Sequence, residues 1–105
     1  MATTKDFIEF ACDQIDRKWC ATYKKMFGEY MVYINQKPVL LVCDNVIYVK
    51  KITCVEKLKK NWDVGLPYPG AKEHFVLDIE DRDLVEQVIE ELERVIPASK
   101  GKKIG

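Results

Sequence analysis

Between Ala21 and Lys51 the sequence passes through four β-rich runs, about Thr22–Phe27, Tyr30–Asn35, Val39–Asp44 and Val46–Lys50. Only Gly28, then Gln36-Lys37-Pro38, then Asp44-Asn45 punctuate them. A parallel crossover needs roughly a dozen residues or more, so links this short force each strand to lie antiparallel beside its predecessor. Asp and Asn tolerate positive φ, which suits Asp44-Asn45 to a tight two-residue hairpin. The expectation is a four-stranded antiparallel meander.

The second to fourth runs are apolar on both sides. One set holds Tyr30, Val32, Ile34, Leu41 and Val49; the other holds Met31, Tyr33, Leu40, Val42 and Tyr48. A sheet with one wet face alternates cleanly between apolar and polar residues. Either helices cover both faces, or a partner covers the second. Tyr33, Leu40, Val42 and Tyr48 then form a patch larger than monomers usually leave wet, and a homodimer or a docked regulator would cover it.

Helical periodicity brackets the meander. Phe7, Ile8, Ala11, Cys12, Ile15 and Trp19 form one stripe with a period near 3.6 residues, capped by Thr3 or Thr4 with Asp6 in the first turn. Thr53-x-x-Glu56 has the form of a capping box, ahead of Val55, Leu58 and Trp62 at helical spacing. Gly65 to Gly70 holds two prolines and two glycines and reads as a loop. His74–Ile79 reads as a fifth strand at a sheet edge. A last helix follows from Leu84, Val85, Val88, Ile89, Leu92, Val95 and Ile96, capped by Asp81 or Asp83, with a Glu90–Arg94 pair and a stop at Pro97. The result is an α+β fold in the order α-β-β-β-β-α-β-α, a single domain over residues 1–97. A disordered basic tail is expected over 98–105.

Composition narrows the function classes. At 105 residues the chain holds one core without metal or disulfide staples. Seventeen basic residues balance seventeen acidic ones, which argues against bulk-charge binding of nucleic acid or membrane. No apolar run nears the roughly 20 residues of a membrane span, and no signal segment is evident, so a cytoplasmic protein is expected. Charge is nonetheless segregated. Residues 36–60 carry six lysines against Asp44 and Glu56, a net of +4, whereas residues 61–97 sum to −7. Such a bipolar chain suits pairing with a complementary surface, including its own copy. Basic strand ends near Tyr23 and Tyr48 offer a second reading, a small nucleic-acid binder that stacks a base.

No catalytic signature emerges. The only serine, Ser99, lies in the tail, and the only histidine, His74, has no cysteine set beside it by spacing. Cys12, Cys20, Cys43 and Cys54 form no C-x-x-C pair and read as buried structural thiols, with no metal and no cofactor. Phosphate-binding glycine motifs are missing. Glu86, Glu90, Glu91 and Glu93 read as a solvated helix face. A small enzyme or ligand-binding protein is therefore the remote alternative.

The most specific string is Lys24-Lys25-Met26-Phe27-Gly28-Glu29-Tyr30-Met31-Val32-Tyr33. It resembles the R-M-F-G-G-x-G-x-Y signature of the TfoX/Sxy N-terminal domain family, and Val46-Ile47-Tyr48-Val49-Lys50 resembles that family's L-Y-L-K strand. The likeness runs over about residues 5 to 97. Glu29 and Met31 stand where the family has its second and third glycines, which leaves Gly28 to supply the turn, with φ > 0 expected there. The resemblance implies an α+β module linked to regulation of natural competence, non-enzymatic, working through a protein partner such as a transcriptional regulator. Lys25, Met26, Phe27, Gly28, Tyr30, Tyr33, Tyr48 and Lys50 are the candidate interaction residues it implies. Longer members carry a second, helical domain, and an isolated N-terminal module is expected here. Met26, Phe27 and Gly28 also have a purely structural reading, as a strand-turn-strand packing motif.

Overall fold

The computed structural model describes residues 3–26 and 29–96. Helix α1 (Lys5–Asp13) leads through a 3₁₀ turn (Arg17–Trp19) into β1 (Ala21–Met26), β2 (Glu29–Ile34), β3 (Lys37–Cys43) and β4 (Val46–Val49). A single helical turn, α2 (Thr53–Glu56), precedes β5 (Val64–Gly65), β6 (His74–Leu77) and α3 (Arg82–Val95). The strands form one sheet in the order β1-β2-β3-β4-β6-β5, and every pairing among the described residues is antiparallel. The α+β class and the expected meander are thus observed. The tail and the Pro97 stop lie outside the described residues.

Two connections are tight two-residue hairpins, the second as expected and the first shorter than expected. Asn35 and Gln36 (φ 50° and 68°) turn β2 into β3, and Asp44 and Asn45 (φ 53° and 59°) turn β3 into β4. Positive φ at both central residues is the hairpin geometry whose twist matches that of the strands. The expected three-residue link at Gln36-Lys37-Pro38 is therefore replaced, because Lys37 already pairs with Ile34.

One bulge decides which side chains face the core. Tyr33 pairs with Pro38 but Val32 pairs with Leu40, so Val39 is the extra residue on β3. Beyond it Leu40 and Val42 join Tyr30, Val32, Ile34, Ile47 and Val49 in the core. Leu41 falls on the other face, paired between Met31 and Tyr48. The expected sets placed Leu41 inward and Leu40 and Val42 outward; a register slip of one residue exchanges exposed for buried positions, and the bulge supplies that slip.

All three helices serve the same face. Ile8 and Ala11 of α1, Val55 of α2 and Leu84, Val85, Val88, Ile89 and Leu92 of α3 form one buried cluster with the inner sheet residues. Thr4 caps α1 by accepting a hydrogen bond from the Phe7 N–H at 3.1 Å, and Asp81 caps α3 by accepting one from the Leu84 N–H at 3.3 Å.

Several boundaries differ from expectation. Helix α1 ends at Asp13 rather than running on to Trp19, since its last turn holds no base and Asp13 and Asp16 oppose the negative end of the helix dipole. Asp16 instead accepts from the Lys18 N–H, starting the 3₁₀ turn, and Ile15 and Trp19 still reach the core. In α2 the cap position is Ile52, without a side-chain bond, so Thr53 and Glu56 do not form the capping box. Leu58 and Trp62 pack inward beyond the helical turn, Trp62 stacking on Phe75 at 4.7 Å. β6 is not an edge strand: Val64 and Gly65 pair outside it.

The glutamates of α3 also depart from a uniformly solvated face. Glu86 accepts from the Trp19 indole N–H at 3.1 Å and pairs with Lys18 at 2.9 Å. Glu93 pairs with Lys37 at 3.2 Å and accepts from the Asn35 amide at 3.4 Å, contacts that hold its carboxyl below the ordinary value. Arg94 pairs with Glu91 rather than Glu90. Helix α3 is thereby tied to the 3₁₀ turn and to the β2–β3 turn.

A left-handed backbone costs an ordinary side chain about 1–2 kcal/mol. Glycine at Gln36 removes that strain and adds part of it back as unfolded-state entropy. Gln36→Gly should therefore stabilise the fold by about 0.5–1 kcal/mol, read as a raised urea midpoint with unchanged slope.

Candidate functional site

Among the described residues no helix lies on the outer face of the sheet. Across it the register lines up Lys24, Met31, Leu41, Tyr48 and Val76 on successive strands from β1 to β6. Tyr33, two residues from Met31, shares that face, with the Lys24 ammonium 5.7 Å from its ring centre. None of Met31, Tyr33, Leu41, Tyr48 and Val76 belongs to the buried core cluster, and each is half-buried.

A loop closes part of this face into a groove. Tyr68-Pro69-Gly70-Ala71 is a β-turn, with the Ala71 N–H donating to the Tyr68 carbonyl at 3.0 Å and Gly70 at φ 87°. Proline at the second position and a positive-φ glycine at the third are what a type II turn requires. Pro67 is buried and pins the loop, and the turn stands Tyr68 beside Met31, Leu41 and Tyr48. The cavity between them is about 460 Å³.

The chemistry of the groove is one-sided. Lys50, Lys72 and His74 line it, and among the described residues its lining holds no carboxylate, cysteine, serine or threonine. His74 Nδ1–H donates to the Lys72 carbonyl at 2.7 Å, which leaves Nε2 as an acceptor on the neutral ring, and the ring meets Tyr48 edge-on at 6.4 Å. Burial raises the Tyr48 hydroxyl above its ordinary value, with Cys43 and Asp44 adding to the shift. Tyr48 therefore offers an aromatic surface and a hydrogen bond rather than a phenolate. No nucleophile–base pair assembles in this groove.

The pleat divides the motif residues. Tyr33, Tyr48 and Lys50 lie on the outer face, Tyr48 and Lys50 in the groove itself. Tyr30 is buried in the core, edge-on to Tyr23 at 5.4 Å. Lys25 is exposed opposite Tyr30 on β1, and Met26 is exposed opposite Glu29. Phe27 and Gly28, with the backbone angle expected at Gly28, lie outside the described residues. Tyr23 donates to Glu9 of α1 at 3.4 Å, so it and Tyr48 stand on opposite faces and cannot share one ligand. Met31, Leu41, Tyr68, Lys72 and His74 were not among the candidates; the Pro-Gly dipeptide after Tyr68 was the available signal.

Glu29 takes a different role. Its Oε1 accepts from the Thr3 hydroxyl at 2.7 Å, the Thr3 N–H at 3.2 Å and the Asp44 N–H at 3.0 Å. Burial alone would raise this carboxyl, but these bonds outweigh it and hold it below the ordinary value. The Asn45 side chain accepts from the Thr4 N–H at 3.0 Å, so the start of α1 is fastened to the β3–β4 turn. Glu29 is thus a structural clamp.

The thiols sit apart from this groove. Cys43 is buried and Cys12 and Cys54 are half-buried, whereas Cys20 is exposed with φ 52°, against the expectation that all four are buried. Burial first, then Asp13, pushes the Cys12 thiol up to about 11; burial, then Glu29 and Asp44, does the same for Cys43. Both are poor nucleophiles. Among the described residues no group of three or more His, Cys, Asp and Glu side chains is placed to hold a metal ion, and no helix is long and apolar enough to cross a membrane.

These features define a class: an α+β domain with its helices on one face of an antiparallel sheet and a basic, aromatic groove on the other. Over 105 residues the chain is 31% identical to the "Uncharacterized 12.7 kDa protein in trpE 5'region" of Spirochaeta aurantia, covering 98% of this chain and 91% of that protein. It belongs to that protein's family. No family model and no solved structure matches the chain.

Two substitutions probe how the site is held. Gly70→Ala forces a side chain into the left-handed region and should cost about 1 kcal/mol in thermal or urea unfolding, with tyrosine fluorescence reporting a looser Tyr68. Because the Glu29 carboxyl is lowered in the fold, its contribution is full above the ordinary value of about 4.3 and is lost as pH falls through the lowered one. Glu29→Gln should destabilise by about 1–2 kcal/mol at pH 7, and the gap from the parent should close on acidification below that range in parallel urea titrations.

Proposed function

We propose that this protein is a non-enzymatic interaction module that acts in transcriptional regulation through a protein partner bound on the outer face of its sheet. The observation that carries the reading is the row Met31, Leu41 and Tyr48, with Tyr33 and Lys50 beside it, on the face that no helix covers. Aromatic and methionine side chains are the types that dominate the centres of protein interfaces, and lysine suits the rim. The lack of a nucleophile or a carboxylate among the groove's described residues favours binding over bond-making. The resemblance of residues 24–33 and 46–50 to the TfoX/Sxy N-terminal signature supplies the regulatory context, including competence-type control.

The nucleic-acid reading is weaker, because its two aromatic anchors, Tyr23 and Tyr48, face opposite ways. Self-association through the same face remains the alternative use of the surface, and light scattering at high concentration separates it from binding to a different protein.

The test is site-specific photo-cross-linking in the source cell. A photoreactive residue at Tyr33 should yield a discrete adduct whose mass spectrum identifies a transcriptional regulator, and the same residue at Glu90 on the helical side should yield none. Equal labelling from both positions, or none from Tyr33, overturns the reading.

A further inference from the structure

We infer that the outer groove receives an acidic segment of the partner, one that carries an aromatic or aliphatic anchor between carboxylates. The inference rests on the interaction reading above and specifies the partner's chemistry. The floor of the groove is apolar, built from Met31, Leu41 and the rings of Tyr48 and Tyr68, and among the described residues its charged lining is cationic. The neighbouring carboxylate does not cancel that charge. Glu73 is held by Lys51 at 2.7 Å and neither residue belongs to the groove lining, while Lys50 and Lys72 have no acidic partner among the described residues. Two ammonium groups flanking an apolar slot attract an anion and leave the slot itself for a ring or a branched aliphatic chain.

A second copy of this chain fits the groove poorly. Three carboxylates of its α3, Glu86, Glu91 and Glu93, are already engaged by Lys18, Arg94 and Lys37. Single-stranded nucleic acid fits poorly as well. It needs a basic track along its backbone with successive stacking rings, yet Lys24 lies over Tyr33 and Tyr23 is turned to the helices. An acidic peptide uses the two free lysines and the single slot together.

The experiment is a titration of the isotope-labelled full chain with a short peptide of alternating glutamate and phenylalanine, followed by amide chemical shifts. Shifts should concentrate at Met31, Leu41, Tyr48 and Ala71, and raising the salt should weaken binding. Lys50→Glu with Lys72→Glu should weaken it about tenfold or more. Both lysines are exposed, and a matching thermal melt shows that the double variant is folded. A peptide with lysine in place of glutamate should not bind. The inference falls if the acidic peptide leaves those resonances unmoved, if charge reversal or the lysine peptide makes no difference, or if an oligothymidine strand displaces the peptide from the same residues. A null titration beside a successful cross-link from Tyr33 removes the acidic-segment inference alone; failure of both experiments removes the interaction surface as well.

Discussion

The register of β2, β3 and β4 is the constraint on which the rest of the molecule depends. Two turns set it, Asn35-Gln36 and Asp44-Asn45, each with two central residues at positive φ and neither with a glycine. Four side chains held in that region represent a real cost, and long-range contacts oppose it. Asn35 and Lys37 are held by Glu93 of α3, and Asp44 and Asn45 by Glu29, Thr3 and Thr4. The same bonds that stabilise the turns attach both long helices, so hairpin geometry and helix docking reinforce one another.

The bulge at Val39 turns this register into a surface. Without it Leu40 would oppose Met31, and the outer row would contain a different side chain. With it, Leu41 completes the line from Met31 to Tyr48, and Val39, Leu40, Val42 and Cys43 are all buried. Pro38 explains the position of the bulge. A proline cannot donate to the ladder, so within a central strand it is tolerated beside an irregularity. A sheet apolar on both faces thus becomes a core on one side and a half-buried groove on the other, with Tyr68 and its turn as the cover among the described residues.

Electrostatics follows the same division into two faces. Acidic residues gather on α3, where several are paired, and the lysines of the central segment are distributed over the sheet and the α2 region. The neutral total therefore conceals a cationic groove.

Length of linkers, periodicity and capping chemistry were enough to specify the meander, the strand order through β4, and α3 with a cap at Asp81 or Asp83, because each is a local property of backbone geometry. The helix α1 and its inward stripe were also legible, although the end of the helix was not, since Ile15 and Trp19 reach the core from beyond Asp13, where Asp16 favours a 3₁₀ turn over helix. Other features required the folded chain. Whether Leu40 or Leu41 faces outward turns on a one-residue bulge, for which Pro38 is a signal without a direction. The pairing of Val64 and Gly65 outside β6, and the folding of Tyr68 over Tyr48, join residues distant in sequence through contacts that no period encodes. Glu29 shows the difference most clearly. As a letter it is a departure from a glycine motif, and only the approach of Thr3 and Asp44 in three dimensions makes it the acceptor that binds the start of α1 to the sheet.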